Sequence, residues 1–239
     1  MDNSRTDFKY ESIPAGYYDQ IYKMQRGIQS RWHYEKFARI RSKIKSGRLL
    51  DIGCGPGTFI GTLGSSVSAT GVDISKQQIS YALANNKDAE KNFKVVNDPP
   101  YEFADGLFDT VTLIELVEHL PYEQCLLLLK EAHRLLRSGG RILISTPDYF
   151  GLWPFLEVLV NRLGKINYEE QHITHFDETK LRQLVDEVGF EIQRIEKYQL
   201  FSPFAAILGW TVADIASRLE PSWLRRNFGF LLLANATKK

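Results

Sequence analysis

Short apolar runs alternate with amphipathic stretches along most of the chain. Leu49, Leu50 and Ile52 form a run that ends in glycines, predicting a buried strand that opens into a tight turn. Thr58 to Leu63 then starts a helix. Ala69 to Asp73 predicts a second strand, Phe93 to Val96 a third and Thr110 to Ile114 a fourth, with a helix over Lys76 to Asn86. Tyr122 to Arg137 gathers Cys125, Leu126, Leu129, Ala132 and Leu136 on one helical face, and Ser138-Gly139-Gly140 turns the chain into a fifth strand, Arg141 to Ser145. A helix from Asp177 through Val188 stops at Gly189 and is followed by strands over Glu191 to Tyr198 and Phe228 to Ala236. Upstream, Ile21, Met24, Ile28, Trp32, Ile40 and Ile44 recur at helical spacing and predict a helix from about Tyr17 to Ile44. The alternation argues an α/β, doubly wound sheet, which binds ligands at the carboxyl ends of its strands.

The glycine turn carries the first chemistry. Asp51 precedes Gly53-Cys54-Gly55-Pro56-Gly57, one residue shorter than the dinucleotide pattern, and no G-K-[ST] follows to make a P-loop. Asp73, at the end of the second strand, is placed where an acid meets ribose hydroxyls.

In Leu49-Leu-Asp-Ile-Gly-Cys-Gly-Pro-Gly57 and Gly71-Val-Asp-Ile-Ser75 the sequence resembles the class I S-adenosylmethionine (SAM)-dependent methyltransferases, in unbroken order from about Leu49 to Asp148. The resemblance implies a Rossmann-like seven-stranded sheet with an N-terminal helical lid and helical insertions. It implies one domain over 1–239, with the lid at 1–46, the SAM-binding core at 47–148 and acceptor-side insertions and C-terminal strands at 149–239. Cofactor contacts fall on Asp51, Gly53, Cys54, Gly55, Gly57, Asp73, Ile74, Ile114 and Glu115, with Tyr17, Tyr18 and Tyr22 as pocket residues of the lid. The family's adenine-binding acid aligns with Asn97, one place before Asp98, and either side chain offers an acceptor oxygen.

A second constellation is Glu115-x-x-Glu118-His119, spaced to converge on one helical turn. Two carboxylates and an imidazole suit a divalent cation such as Mg²⁺, Mn²⁺ or Zn²⁺. A fourth ligand is available in Gln171-His172-Ile-Thr-His175-Phe176, where His175 is favoured over His172. Here the chain is similar to the ubiquinone-biosynthesis O-methyltransferases and to the small-RNA terminal ribose 2′-O-methyltransferases, whose E-x-x-E-H motif is associated with a metal at the acceptor hydroxyl. Without a metal, His175 or His119 is the candidate base, beside Glu115.

Composition narrows the function. A formal net charge of +1 over 239 residues gives no global field for nucleic acid, so RNA methylation is disfavoured. Two cysteines make no disulfide framework, the N-terminus has no apolar leader pattern, and no run reaches the roughly 18 apolar residues of a spanning helix. The expected location is cytoplasmic, with peripheral contact to a membrane, and the expected assembly a monomer or homodimer. That contact is expected from the apolar stretches at 149–163 and 199–219, with Trp153, Phe155, Leu156, Phe201, Phe204, Leu208 and Trp210, bordered by Arg218, Trp223, Arg225 and Arg226. Burial against the sheet is the competing account of the same residues. The expected reaction is methyl transfer from SAM to a hydroxyl of a small or lipophilic acceptor. The alternatives are a sugar or amine acceptor in glycan or natural-product assembly, and a SAM-binding protein without catalysis.

Overall fold

The computed structural model describes residues 13–163 and 172–239, with side chains up to residue 158 and again from residue 172. The polar first 12 residues, Gly164 and Gln171 lie outside the described residues.

The strands are β1 (Gly47–Ile52), β2 (Val67–Asp73), β3 (Lys91–Val95), β4 (Phe108–Ile114), β5 (Leu136–Pro147), β6 (Phe190–Tyr198) and β7 (Leu231–Lys238). They form one seven-stranded sheet in the order β3-β2-β1-β4-β5-β7-β6. All neighbours are parallel except β7, which runs antiparallel to β5 and β6. The strand order reverses between β1 and β4, and the carboxyl ends of these two strands frame the site.

The central strands are apolar on both faces, as a doubly covered parallel sheet requires. Leu50, Ile52, Val111, Leu113, Ile142 and Ile144 pack on one side, against α5 (Tyr122–Leu135) and α7 (Glu178–Glu187). Leu49, Leu143, Leu231 and Leu233 pack on the other, with Phe37 and Ile40 of α2 (Gly27–Arg41). This alternation is the two-residue period of a strand. Pairing between β4 and β5 shifts across residues 137–140, so the expected turn at Ser138-Gly139-Gly140 is an irregularity within β5.

The lid is two helices, α1 (Tyr17–Met24) and α2, where periodicity predicts one. The break has a backbone cause: Gln25 and Gly27 both have positive φ, 49° and 74°, and Arg26 between them is extended. Asp19 fastens α1 to the core. Its buried carboxylate accepts hydrogen bonds from Tyr81 Oη (3.0 Å) and Asn86 Nδ2 (3.2 Å) and pairs with Lys23 (2.7 Å). Tyr81 belongs to α4 (Lys76–Asn85), and α3 between them in sequence is a single turn, Thr58–Gly61.

Two insertions extend the carboxyl edge. The first is α6 (Trp153–Leu163) after β5. The second, between β6 and β7, holds a 3-10 segment (Ser202–Leu208), α8 (Trp210–Leu219) and α9 (Ser222–Phe228). Only part of their apolar content faces outward. Trp153 and Leu156 are buried, Phe204 packs on Trp32 and Phe230, and Trp210 packs on Tyr34. Phe155, Phe201 and Leu208 are exposed.

Candidate active site

The glycine turn after β1 is fixed by close packing. Gly53 has φ +72°, and a Cβ there would meet both Leu116 methyls at 2.9 Å. At Gly57, φ is +74° and a Cβ would meet the Phe93 ring at 2.5 Å. Both positions therefore exclude a side chain on conformational and steric grounds. The Gly55 amide donates to Asp73 Oδ2 at 2.8 Å, and the Ser75 amide donates to Asp73 Oδ1 at 2.8 Å. Asp73 thus ties the turn to β2. Cys54 is buried beside Gly71, and burial pushes its thiol well up, so it is a packing residue and no nucleophile at neutral pH.

Asp51 lies buried at the end of β1 and accepts a hydrogen bond from Thr112 Oγ1 at 2.6 Å. Burial pushes its carboxyl up to about 7, the Thr112 bond pulls it down, and Asp73 pushes it up further. Ile74 stays 66% exposed beside Asp73, an apolar surface that an adenine ring would cover. Asn97 and Asp98 both sit exposed in the loop after β3.

Beyond the turn, Glu115 follows β4 with φ +52°, a conformation that non-glycine residues rarely adopt. In place of the expected helical turn over Glu115 to His119, a 3-10 turn forms at Val117–His119. Glu115 instead accepts a hydrogen bond from Ser145 Oγ, with Lys36 Nζ 3.8 Å from its other oxygen. Ser145 has one proton to give, so Tyr198, whose oxygen lies 2.8 Å from Ser145 Oγ, donates to it. The chain of donors runs Tyr198 to Ser145 to Glu115. Ile114 precedes it as the half-buried end of β4.

Glu118, His119 and His172 come together, with one ligand atom of each within 4.8 Å of the others. His175, favoured by the sequence, is outside this group: it is exposed and stacks on Tyr149 with centroids 4.0 Å apart. Glu115 is outside it as well. His172 is selected by tertiary partners. Its Nδ1 lies 2.6 Å from Glu157 Oε1 and bonds the Tyr149 hydroxyl, which itself donates to Glu157 at 2.9 Å. This places the proton on Nδ1 and the lone pair on Nε2. Burial, aided by His119, lowers the His172 pKa to about 3, so the ring is neutral at pH 7.

Glu118 is buried, with Oε2 bonded by Thr146 at 3.1 Å and Oε1 without a hydrogen-bond partner among the described residues. Burial and then Glu115 hold its carboxyl well above the usual range. Its carbonyl accepts the Ile173 and Thr174 amides, at 2.7 and 3.0 Å, which pins the His172 segment to the 3-10 turn. Lys36, Ser145, Tyr149, Glu157 and Tyr198 join the site without a motif to announce them. Glu157 left one sequence signal, a lone acid in the apolar stretch Trp153-Pro-Phe-Leu-Glu157-Val-Leu-Val160.

Comparison with known proteins bears on this arrangement. A family profile described as a methyltransferase domain matches residues 22–195. A ubiquinone biosynthesis O-methyltransferase of Pseudomonas aeruginosa (strain LESB58) is 28% identical over 110 residues, covering 44% of this chain and 47% of the relative. An uncharacterized 37.1 kDa protein in transposon TN4556 of Streptomyces fradiae is 34% identical over 121 residues, covering 46% of this chain and 33% of the relative. The matches thus span a third to about half the length of these relatives. The crystal structure of geranyl diphosphate C-methyltransferase from Streptomyces coelicolor, solved with Mg²⁺, geranyl diphosphate and S-adenosyl-L-homocysteine, superposes with a TM-score of 0.64 at 15% identity, over 94% of this chain and 85% of that one. At that identity the likeness is one of fold. The profile match covers well over half of the chain, the sheet order and glycine turn agree with it, and the chain belongs to the class I SAM-dependent methyltransferases.

Proposed function

We propose that the protein transfers the methyl group of SAM to a hydroxyl of a small or lipophilic acceptor. The observation that carries this reading is the meeting of Glu118 and His119, on the chain that leaves β4, with His172 from the segment before α7, Glu118 and His172 being buried and His119 partly so. A hydroxyl has a high pKa and must lose its proton during transfer, whereas a neutral amine attacks without that help. SAM supplies an electrophilic methyl on a sulfonium, so the protein must align the acceptor and receive one proton.

In this reading the glycine turn and Asp73 hold the nucleoside and methionine portions of SAM, Ile74 underlies the adenine, and Asn97 or Asp98 meets its amino group. Glu115 is held by Ser145 and Lys36 at the carboxyl edge of β4, where the cofactor and acceptor meet. His119 receives the acceptor proton. Glu118 and neutral His172 orient and support it.

The same trio suits a divalent cation: Glu118 offers a buried oxygen with no hydrogen-bond partner among the described residues, and His172 is neutral. When bound, such an ion would lower the pKa of the acceptor hydroxyl. The test is to incubate purified protein with methyl-labelled SAM and metabolite extracts, with and without chelator, and to identify the product. An O-methyl product is expected. A product methylated only on nitrogen or carbon overturns the assignment.

A further inference from the structure

Helix α8 is apolar on its outward side as well as its inward one. Inward, Trp210 packs on Tyr34, Ala213 is buried and Ser217 lines a cleft, while the half-exposed Asp214 pairs with Arg31 at 2.6 Å. Its outward side carries Val212, Ile215 and Leu219 at i, i+3 and i+7, of which Ile215 is 52% and Leu219 75% exposed. A helix of a water-facing surface places its apolar stripe inward. Ile207 and Leu208 precede it, exposed at 71% and 77%, and Trp223 follows in α9 at 60%. So many large apolar side chains on consecutive elements mark an interaction surface.

The charges beside this face are mostly basic. Its acids are already paired, Asp214 with Arg31 and Glu220 with Arg225 (3.6 Å). Arg218 and Arg226 are exposed and make no ion pair among the described residues. Behind α8 a cavity of about 370 Å³ opens between α2, β6 and α9, lined by Arg39, Arg194, Lys197, Arg225 and Arg226. With Arg31 the cavity is lined by six cationic side chains against the carboxylates of Glu35, Glu196 and Glu220; Glu196 takes Arg39 at 2.6 Å and Arg194 at 3.2 Å, and Lys197 pairs with Asp148 at 2.6 Å. The buried Nε of Arg39 has no hydrogen-bond acceptor among the described residues. A cleft lined by more cationic than acidic side chains suits a phosphate. Tyr198 also lines it, and the Tyr198 hydroxyl reaches Ser145, so the cavity abuts the acceptor end of the sheet.

We infer that the outer face of α8, with α9, docks on an anionic phospholipid surface, and that the cavity between α2, β6 and α9 seats one lipid phosphate. Apolar side chains ringed by arginine and tryptophan bind an interface by burial and by attraction to anionic headgroups.

The inference is tested by flotation of the full chain with phosphatidylcholine vesicles, with and without phosphatidylglycerol, at low and high salt. Wild type is expected to bind the anionic vesicles and to be released by salt. The double variant Ile215→Ser/Leu219→Ser, and separately Arg218→Gln/Arg226→Gln, should each bind at least tenfold more weakly while still binding S-adenosylhomocysteine. Wild type wholly unbound at low salt overturns the inference, as does vesicle binding that neither variant weakens. A dimer in sedimentation that the serine variant splits, without vesicle binding, would make the face a self-interface instead. Calorimetric binding of glycerol phosphate without any vesicle binding would assign the cavity to a soluble phosphate and overturn the docking.

Discussion

The Gly55 amide donates to the Asp73 carboxylate at 2.8 Å, a hydrogen bond that joins two strand ends 18 residues apart. One side chain therefore shapes the glycine turn and is the one proposed above to hold the ribose. Asp73→Ala leaves the Gly55 and Ser75 amides without their acceptor, at about 1–3 kcal/mol for a buried donor. Calorimetry should show S-adenosylhomocysteine binding weakened at least tenfold, with Asp73→Asn intermediate because its amide keeps one acceptor oxygen. Unchanged affinity in Asp73→Ala would remove Asp73 from the cofactor site.

Asp51 gives a pH signature. Its folded pKa, pushed up to about 7 by burial, lies above the unfolded value. The stability it contributes is therefore fully present below the unfolded pKa and lost as pH rises through about 7, by on the order of 2–4 kcal/mol. Asp51→Asn removes that loss. The Tm of cofactor-free Asp51→Asn should gain on wild type between pH 5 and pH 8. Parallel Tm curves across that range would contradict the buried, protonated carboxyl.

The features legible in the sequence are those set by local residues. Leu49, Leu50 and Ile52 fixed on both faces of β1, the glycines after them and Asp73 at the end of β2 are all read from short windows. Asp177, where the sequence starts the helix, caps α7, and its carboxylate accepts the Lys180 amide at 2.7 Å. What was lost depends on tertiary pairing. His172 and His175 are equivalent by spacing, and the bond from His172 to Glu157 on α6 is a tertiary contact. Glu115 was placed on a helical turn because nothing local announces φ +52° in a glutamate. The apolar insertions could not be divided by composition into Trp153 and Phe204, which meet Trp32, and Phe155 and Leu208, which face out.

The lid is fastened by one buried acid. Asp19→Ala takes one acceptor from the Tyr81 hydroxyl and one from the Asn86 amide, which keeps the Pro56 carbonyl at 2.8 Å, and it removes the carboxylate that pairs with Lys23. A destabilisation of about 1–3 kcal/mol is expected for the lid, with little change in the sheet. Hydrogen exchange should rise in α1 while β1 and β4 stay protected, and KM for SAM should rise more than kcat falls. Uniformly faster exchange over the whole sheet would mean that Asp19 supports the core rather than a lid.

The His172 network separates a metal from a base. Glu157→Gln removes the carboxylate that faces Nδ1, at 2.6 Å in the folded chain, while preserving the side chain's shape. If Glu118, His119 and His172 hold a cation, this change weakens the ion's binding about 10–100-fold, as loss of an outer partner does at metal sites. Activity of the variant would then recover at higher Mg²⁺, Mn²⁺ or Zn²⁺, and wild type would stop in excess chelator. If His119 acts as a base without a metal, chelator changes nothing, added ions rescue nothing, and the acidic limb of the kcat profile follows the histidine. Direct titration of the cofactor-free protein with each ion gives the same decision without turnover. Saturable binding that His172→Ala abolishes supports the cation, and no binding by wild type leaves His119 as the proton acceptor.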